Sequence, residues 1–208
     1  MEEVLELYSQ SADPKYPLVC FDETCKQLTK EIYLPQAAHP GQVAREDYQY
    51  ERNGTANLFL FSAPLNGWRH VEVTDQRTQL DYAQQMKWLV DVAFPDALQV
   101  RVVQDNLNTH VKASLYKAFE APEARRILNR LDFHYTPKHG SWLNMAEIEL
   151  SVLSRQCLNR RIPDPEKLKS EIAAWEERRN RSGNTIEWRF TTQDARIKLK
   201  HLYPSFQE

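Results

Sequence analysis

Two short apolar stretches in this chain each run into an acidic side chain, and that pairing limits the possible folds more than any other feature. Residues 16–21, Tyr-Pro-Leu-Val-Cys-Phe, read as a short buried strand ending at Asp22 and Glu23. Residues 98–103 read as a near-continuous strand of the kind buried on both faces, and they lead into Gln104-Asp105-Asn106. A strand covered on both faces lies inside a sheet flanked by helices. In open sheets of this kind sites form at the carboxyl ends of strands, where Asp22 and Asp105 are both expected.

The remaining pattern supplies the partners for such strands. Residues 57–63 alternate, Pro-Leu-Asn-Gly at 64–67 signals a turn, and residues 68–74 alternate again, which predicts a hairpin. Apolar residues recur at helical spacing over 78–94, 112–119 and 122–131, the last with Pro122 at a helix-opening position. A short strand over 133–136 stops at Pro137, and helices follow over 142–158, 165–179 and 192–202. Residues 36–52 are polar and lack periodicity, as expected of a long loop or an inserted arm. The order predicts an α/β layout, a mixed sheet of about five strands with helices on its faces. A length of 208 residues suits one sizeable core. The expected organisation is one domain over 1–208, with a helical lead-in at 1–15 and a helical extension at 160–208.

Composition excludes several classes. With 41% hydrophobic and 27% charged residues the chain is neither disordered nor fibrous. Its apolar runs fall far short of the roughly 20 residues that a membrane helix needs. The acidic start Met-Glu-Glu-Val-Leu-Glu-Leu is unlike a basic, apolar leader, so a cytoplasmic location without membrane partners is expected. Cys20, Cys25 and Cys157 are too few and scattered for a disulfide framework and are expected as thiols. A net charge of -2 does not advertise nucleic-acid binding. Arg125, Arg126 and Arg130, and then Arg155, Arg160 and Arg161, nevertheless cluster and could form a basic face.

Three acids share a context. Asp22 and Asp105 end apolar strands, and Glu147 lies inside the apolar helical run Trp-Leu-Asn-Met-Ala-Glu-Ile-Glu-Leu. A carboxylate in such a place is costly unless compensated, and a divalent cation is one compensation. Mg²⁺ prefers hard oxygen ligands, and a pair of such ions activates the nucleophile and stabilises the leaving oxygen in phosphodiester chemistry. On pattern alone a strand-end Asp is more often a turn or cap residue than a catalytic one.

Phe-Asp-Glu-Thr at 21–24, Val-Val-Gln-Asp-Asn-Leu-Asn-Thr-His at 102–110 and Tyr-Thr-Pro-Lys-His-Gly-Ser-Trp-Leu-Asn-Met-Ala-Glu at 135–147 resemble the three signature blocks of DDE transposases. The resemblance is to the bacterial insertion-sequence branch related to the Tc/mariner superfamily. It extends through Asn-Gly-Thr-Ala-Asn-Leu-Phe at 53–59, Gly-Trp-Arg at 67–69 and Trp-Arg-Phe-Thr-Thr at 188–192. It implies a ribonuclease-H-like fold, with Asp22, Asp105 and Glu147 as the catalytic triad holding Mg²⁺ or Mn²⁺, as two ions. It also implies cleavage and strand transfer of DNA at transposon ends, with target DNA as the second substrate and a homodimer assembled on DNA. Relatives carry helix-turn-helix segments ahead of the catalytic domain. Little chain precedes Asp22, so that region is expected to be absent, with a separate DNA-binding segment as a partner.

Glu149 rivals Glu147. On a helix the two differ by about 200° in direction, so both cannot face one site, and only motif placement favours Glu147. Around the acids, Glu23, Asn106, His110, Lys138, His139 and Asn144 are candidates for DNA contact or for orienting the acids. Each also has a bland reading as a cap, turn or surface residue. Ser141 completes a segment around Gly140 that can approach a phosphate backbone, and Trp142 is read as core. Two alternatives stand beside the transposase reading: a plain metal-dependent nuclease of the same fold, and a truncated or domesticated remnant that binds DNA without turnover.

Overall fold

The computed structural model describes residues 1–203 apart from 34, 35, 46 and 139. Glu2 and Glu3 in the first turn suit the positive end of a helix dipole, and α1 (Glu2–Tyr8) follows, burying Val4, Leu5, Leu7 and Tyr8. Next come β1 (Leu18–Glu31), β2 (Tyr50–Ala63), β3 (Trp68–Thr74), α2 (Gln79–Trp88), β4 (Val100–Gln104), α3 (Ala113–Ala118) and α4 (Ala121–Asn129). The chain continues through β5 (Leu131–Tyr135), α5 (Ala146–Leu153), α6 (Pro165–Ser182) and α7 (Thr192–Lys198). Five strands form one sheet in the order β3-β2-β1-β4-β5. β1 is antiparallel to β2 and parallel to β4, which is parallel to β5. This is the mixed, helix-flanked sheet that the sequence predicts.

Alternation along the strands sends side chains into two cores. Leu18, Cys20, Leu60 and Val103 face one side with α1, α5 and α6. Val19, Phe21, Phe61 and Val102 face the other with α2 and α4. Period-two geometry therefore assigns Asp22 to the side of Cys20 and Glu23 to the side of Phe21.

Several boundaries differ from the sequence reading. β1 does not stop at Asp22 but runs on to Glu31, paired with the early part of β2, and the two strands form the stem of an arm. Isolated bridges Gln36↔Arg45 and His39↔Gln42 continue that pairing outward, so the described residues between 36 and 52 belong to an arm. Leu98 is 58% exposed, and β4 starts only at Val100. Leu131 opens β5 instead of closing the preceding helix. The 78–94 helix is α2, capped by the reciprocal Thr78–Asp81 box, followed by a wider turn over Leu89–Ala93.

β3 is an edge strand, and α6 covers it. Asn180 accepts from the Arg69 N–H and donates to the Arg69 carbonyl, and Glu176 accepts from the Val71 N–H, so these backbone groups are satisfied without another strand. Gly67 (φ 67°) turns the chain into β3 against Gly183, where a side-chain Cβ on Gly67 would lie 2.5 Å from the Gly183 carbonyl oxygen. Glu176 also approaches His70 at 3.1 Å, and the His70 ring stacks on Trp88. Burial alone would lower the His70 pKa, but Glu176 and Glu72 outweigh it and raise it from 6.5 to about 9. With the folded value above the unfolded one, this pair's contribution to stability is complete below about pH 6.5 and is lost as pH rises through about 9. The urea midpoint is expected to fall across that window, and His70→Gln to flatten the fall. An equally steep fall in His70→Gln would contradict the assignment.

Candidate active site

The parallel pairing of β1 with β4 ends at Cys20↔Val103, and Asp22 and Asp105 follow these two residues by the same step. Asp22 thus lies inside a strand, yet beyond the end of its parallel neighbour, while Asp105 immediately follows β4. This places both at the carboxyl edge of the parallel part of the sheet.

α5 arrives on the Cys20 side. Asn144, just before it, is buried, donates to the Phe21 carbonyl at 2.8 Å and reaches Asp22 Oδ2 at 3.5 Å. Its own oxygen accepts from the Ala146 N–H at 3.1 Å, so one amide ties the start of α5 to β1. Glu147 follows, partly exposed. Burial pushes the Asp22 carboxyl up to about 6; the Glu23 N–H at 2.8 Å opposes the rise, and the nearby charges of Asp105 and Glu147 add to it. Asp22 thus feels both other acids.

Glu149 points elsewhere. Fully buried, it pairs with Arg69 on β3 at 2.9 Å and with Arg179 on α6 at 2.9 Å. The two arginines overcome the cost of burial and lower its pKa. Glu149 joins α5 to the sheet and to α6, away from the Asp22 edge.

His110 is fully buried, with Nδ1 2.5 Å from Asp105 Oδ1 and Nε2 3.4 Å from Glu23 Oε2. Burial disfavours its cation, but Asp105 and Glu23 reverse this and raise the imidazole to about 9. Asn106 and Lys138 are exposed and, with Asp105, Thr136 and Ser141, line a cleft at the same edge. His139 lies outside the described residues. Trp142 is 41% exposed and stacks over Trp188, so it is a surface residue and not core.

The expected basic face is largely spent within the fold. Arg126 binds Asp91 and Glu123, Arg130 binds the carbonyls of Val90, Phe94 and Pro95, Arg160 binds Glu171, and Arg161 binds Glu31. Sequence reasoning missed Arg77, which approaches Glu23 at 3.4 Å, and Gln104, which is buried and holds both Tyr82 and the His110 carbonyl. A glutamine within an apolar strand needs buried partners, and that requirement was a usable signal for Gln104.

Among the described residues no three His, Cys, Asp or Glu side chains stand close enough together to hold a metal ion as they are placed. The donor set nevertheless suits a hard divalent cation: Asp22, Asp105 and Glu147 offer only carboxylate oxygens, and the negative charge that Asp105 and Glu147 place on Asp22 is what a cation relieves. Among the described residues no helix is long and apolar enough to cross a membrane.

The sequence pattern of the DDE superfamily endonucleases matches residues 17–169. No curated protein sequence matches the chain. Among solved structures, a Mos1 mariner paired-end complex with Mn is similar at a TM-score of 0.56 and 15% identity, over 88% of this chain and 55% of that one. A Mos1 transposase paired-end complex with the left transposon end gives 0.58 and 14%, over 88% and 56%. A Mos1 strand transfer complex gives 0.55 and 14%, over 85% and 51%. The chain spans just over half the length of these proteins, and at such identities the likeness carries the fold, which is ribonuclease-H-like. Since the sequence pattern covers well over half of its length, the chain belongs to the DDE superfamily of endonucleases.

Proposed function

We propose that this chain is the catalytic domain of a DNA transposase, cutting a phosphodiester at a transposon end and joining the freed 3′ end to target DNA. The observation that carries this reading is the placement of Asp22 and Asp105 at the same step beyond the parallel pairing of β1 and β4, on the side where α5 brings Glu147 near enough for its charge, with that of Asp105, to raise the Asp22 carboxyl. These three residues would hold divalent metal, as two ions. Bound there, Mg²⁺ or Mn²⁺ supplies Lewis-acid activation of the attacking water or 3′-hydroxyl and stabilises the leaving oxygen. Asn144 keeps the Asp22 carboxylate oriented while anchoring the start of α5. Lys138, exposed in the adjoining cleft, offers charge to a backbone phosphate. The Mos1 neighbours are paired-end and strand transfer complexes, which supports DNA as the partner and assembly as a dimer on DNA.

Strand transfer separates a transposase from a plain nuclease. The purified chain is incubated with supercoiled plasmid, a duplex bearing a transposon end with a free 3′-hydroxyl, and Mg²⁺ or Mn²⁺. Covalent joining of the duplex to the plasmid is expected. Nicking without any joined product would favour the nuclease reading.

A further inference from the structure

Asp105 lies just beyond β4, next to the exposed residues 106–108, so the strand itself does not fix its carboxylate. Its side chain is fixed by His110, whose Nδ1 stands 2.5 Å from Oδ1. The imidazole is itself immobilised. Phe21 meets it edge-on at 5.1 Å, Tyr82 stacks on it at 5.0 Å, and its backbone carbonyl accepts from Gln104 Nε2 at 3.1 Å and Tyr135 Oη at 3.3 Å. On its far side, Nε2 faces Glu23 Oε2 at 3.4 Å, and Arg77 closes the chain at Glu23 Oε1. Glu23 is the residue whose backbone N–H donates to Asp22 Oδ1 at 2.8 Å.

We propose that His110 is a positioning residue that sets Asp105 through its Nδ1 edge, while its Nε2 edge holds Glu23. The inference rests on the reading of Asp22 and Asp105 as metal-holding groups. The two ring nitrogens have separate duties. Nδ1 engages Asp105 Oδ1 and leaves Oδ2 without a hydrogen-bond partner among the described residues, while Nε2 pins Glu23 on the opposite face of β1 from Asp22. Outer groups of this sort typically change metal affinity by about 10- to 100-fold.

Two amide substitutions separate those duties, because an Asn side-chain nitrogen reaches roughly the place of Nδ1 and a Gln nitrogen that of Nε2. Mn²⁺ binding to the whole chain is read by the loss of the free-ion electron paramagnetic resonance signal, beside thermal unfolding of each protein. His110→Ala and His110→Gln are expected to weaken Mn²⁺ binding by about 10- to 100-fold, and His110→Asn to restore most of it. A purely structural histidine would lower the unfolding temperature without separating Asn from Gln in Mn²⁺ affinity, and that result overturns the proposal. Mn²⁺ binding by the unsubstituted chain that Asp105→Asn leaves unchanged overturns the metal-centre reading and this inference with it. Binding lost in Asp105→Asn yet kept in every His110 variant overturns this inference alone.

Discussion

Asp22→Asn and Asp105→Asn are each expected to slow metal-dependent nicking of DNA on the order of 10³-fold, the scale on which loss of a group stabilising transition-state charge is felt. The amide keeps the shape of the side chain but removes the charge that would hold a divalent cation. Burial already raises the Asp22 carboxyl, and Asp105 and Glu147 raise it further, so Asp22→Asn relieves repulsion and leaves the unfolding temperature unchanged or higher, whereas Asp105→Asn gives up the charge that faces buried His110 and lowers it. Conversion of supercoiled plasmid in Mg²⁺, measured beside the thermal melt, checks both halves. Unchanged nicking in either variant removes that aspartate from the site.

The second large effect falls on stability. Glu149→Ala leaves Arg69, which is fully buried, without its carboxylate, and removal of one partner from a buried ion pair costs about 3–5 kcal/mol. Arg69 keeps its bonds to the Gly67 and Asn184 carbonyls, so its charge remains fixed in place after the loss. Glu147→Ala, at a partly exposed position with no salt-bridge partner among the described residues, is expected to change stability by no more than about 0.5 kcal/mol. Urea unfolding of the two variants tests this contrast. Equal losses would mean that the two glutamates do not divide structure and chemistry between them.

That division was not legible in the sequence. Glu147 and Glu149 stand in the same apolar run, and what separates them is the pair Arg69 and Arg179, which lie 80 and 30 positions away and come together only through packing of α5, β3 and α6. The strands were legible where their side chains alternate into a core, as in Leu58 to Phe61, whose members divide between the two faces of the sheet. They were not legible in the arm, because from Cys25 onward β1 is held by backbone pairing to β2 while only Leu28 among its side chains is buried. A solvated hairpin carries no apolar period for sequence reasoning to detect. The same extension explains why Asp22 was expected at a strand end. It does lie at an edge, but the edge belongs to the parallel pairing with β4 and not to β1 itself. His110 and Asn144 were visible as polar residues near the acids. Their roles depend on distances to Glu23, Asp105 and Phe21 that spacing alone could not supply.

The central claim is that Asp22, Asp105 and Glu147 together hold the metal for phosphodiester chemistry while Glu149 holds the fold. The most direct test compares Mn²⁺-dependent nicking by the unsubstituted chain, Glu147→Gln and Glu149→Gln at a temperature where all three remain folded. The account predicts that nicking disappears in Glu147→Gln and persists in Glu149→Gln. Nicking that survives Glu147→Gln and is lost in a folded Glu149→Gln would contradict it.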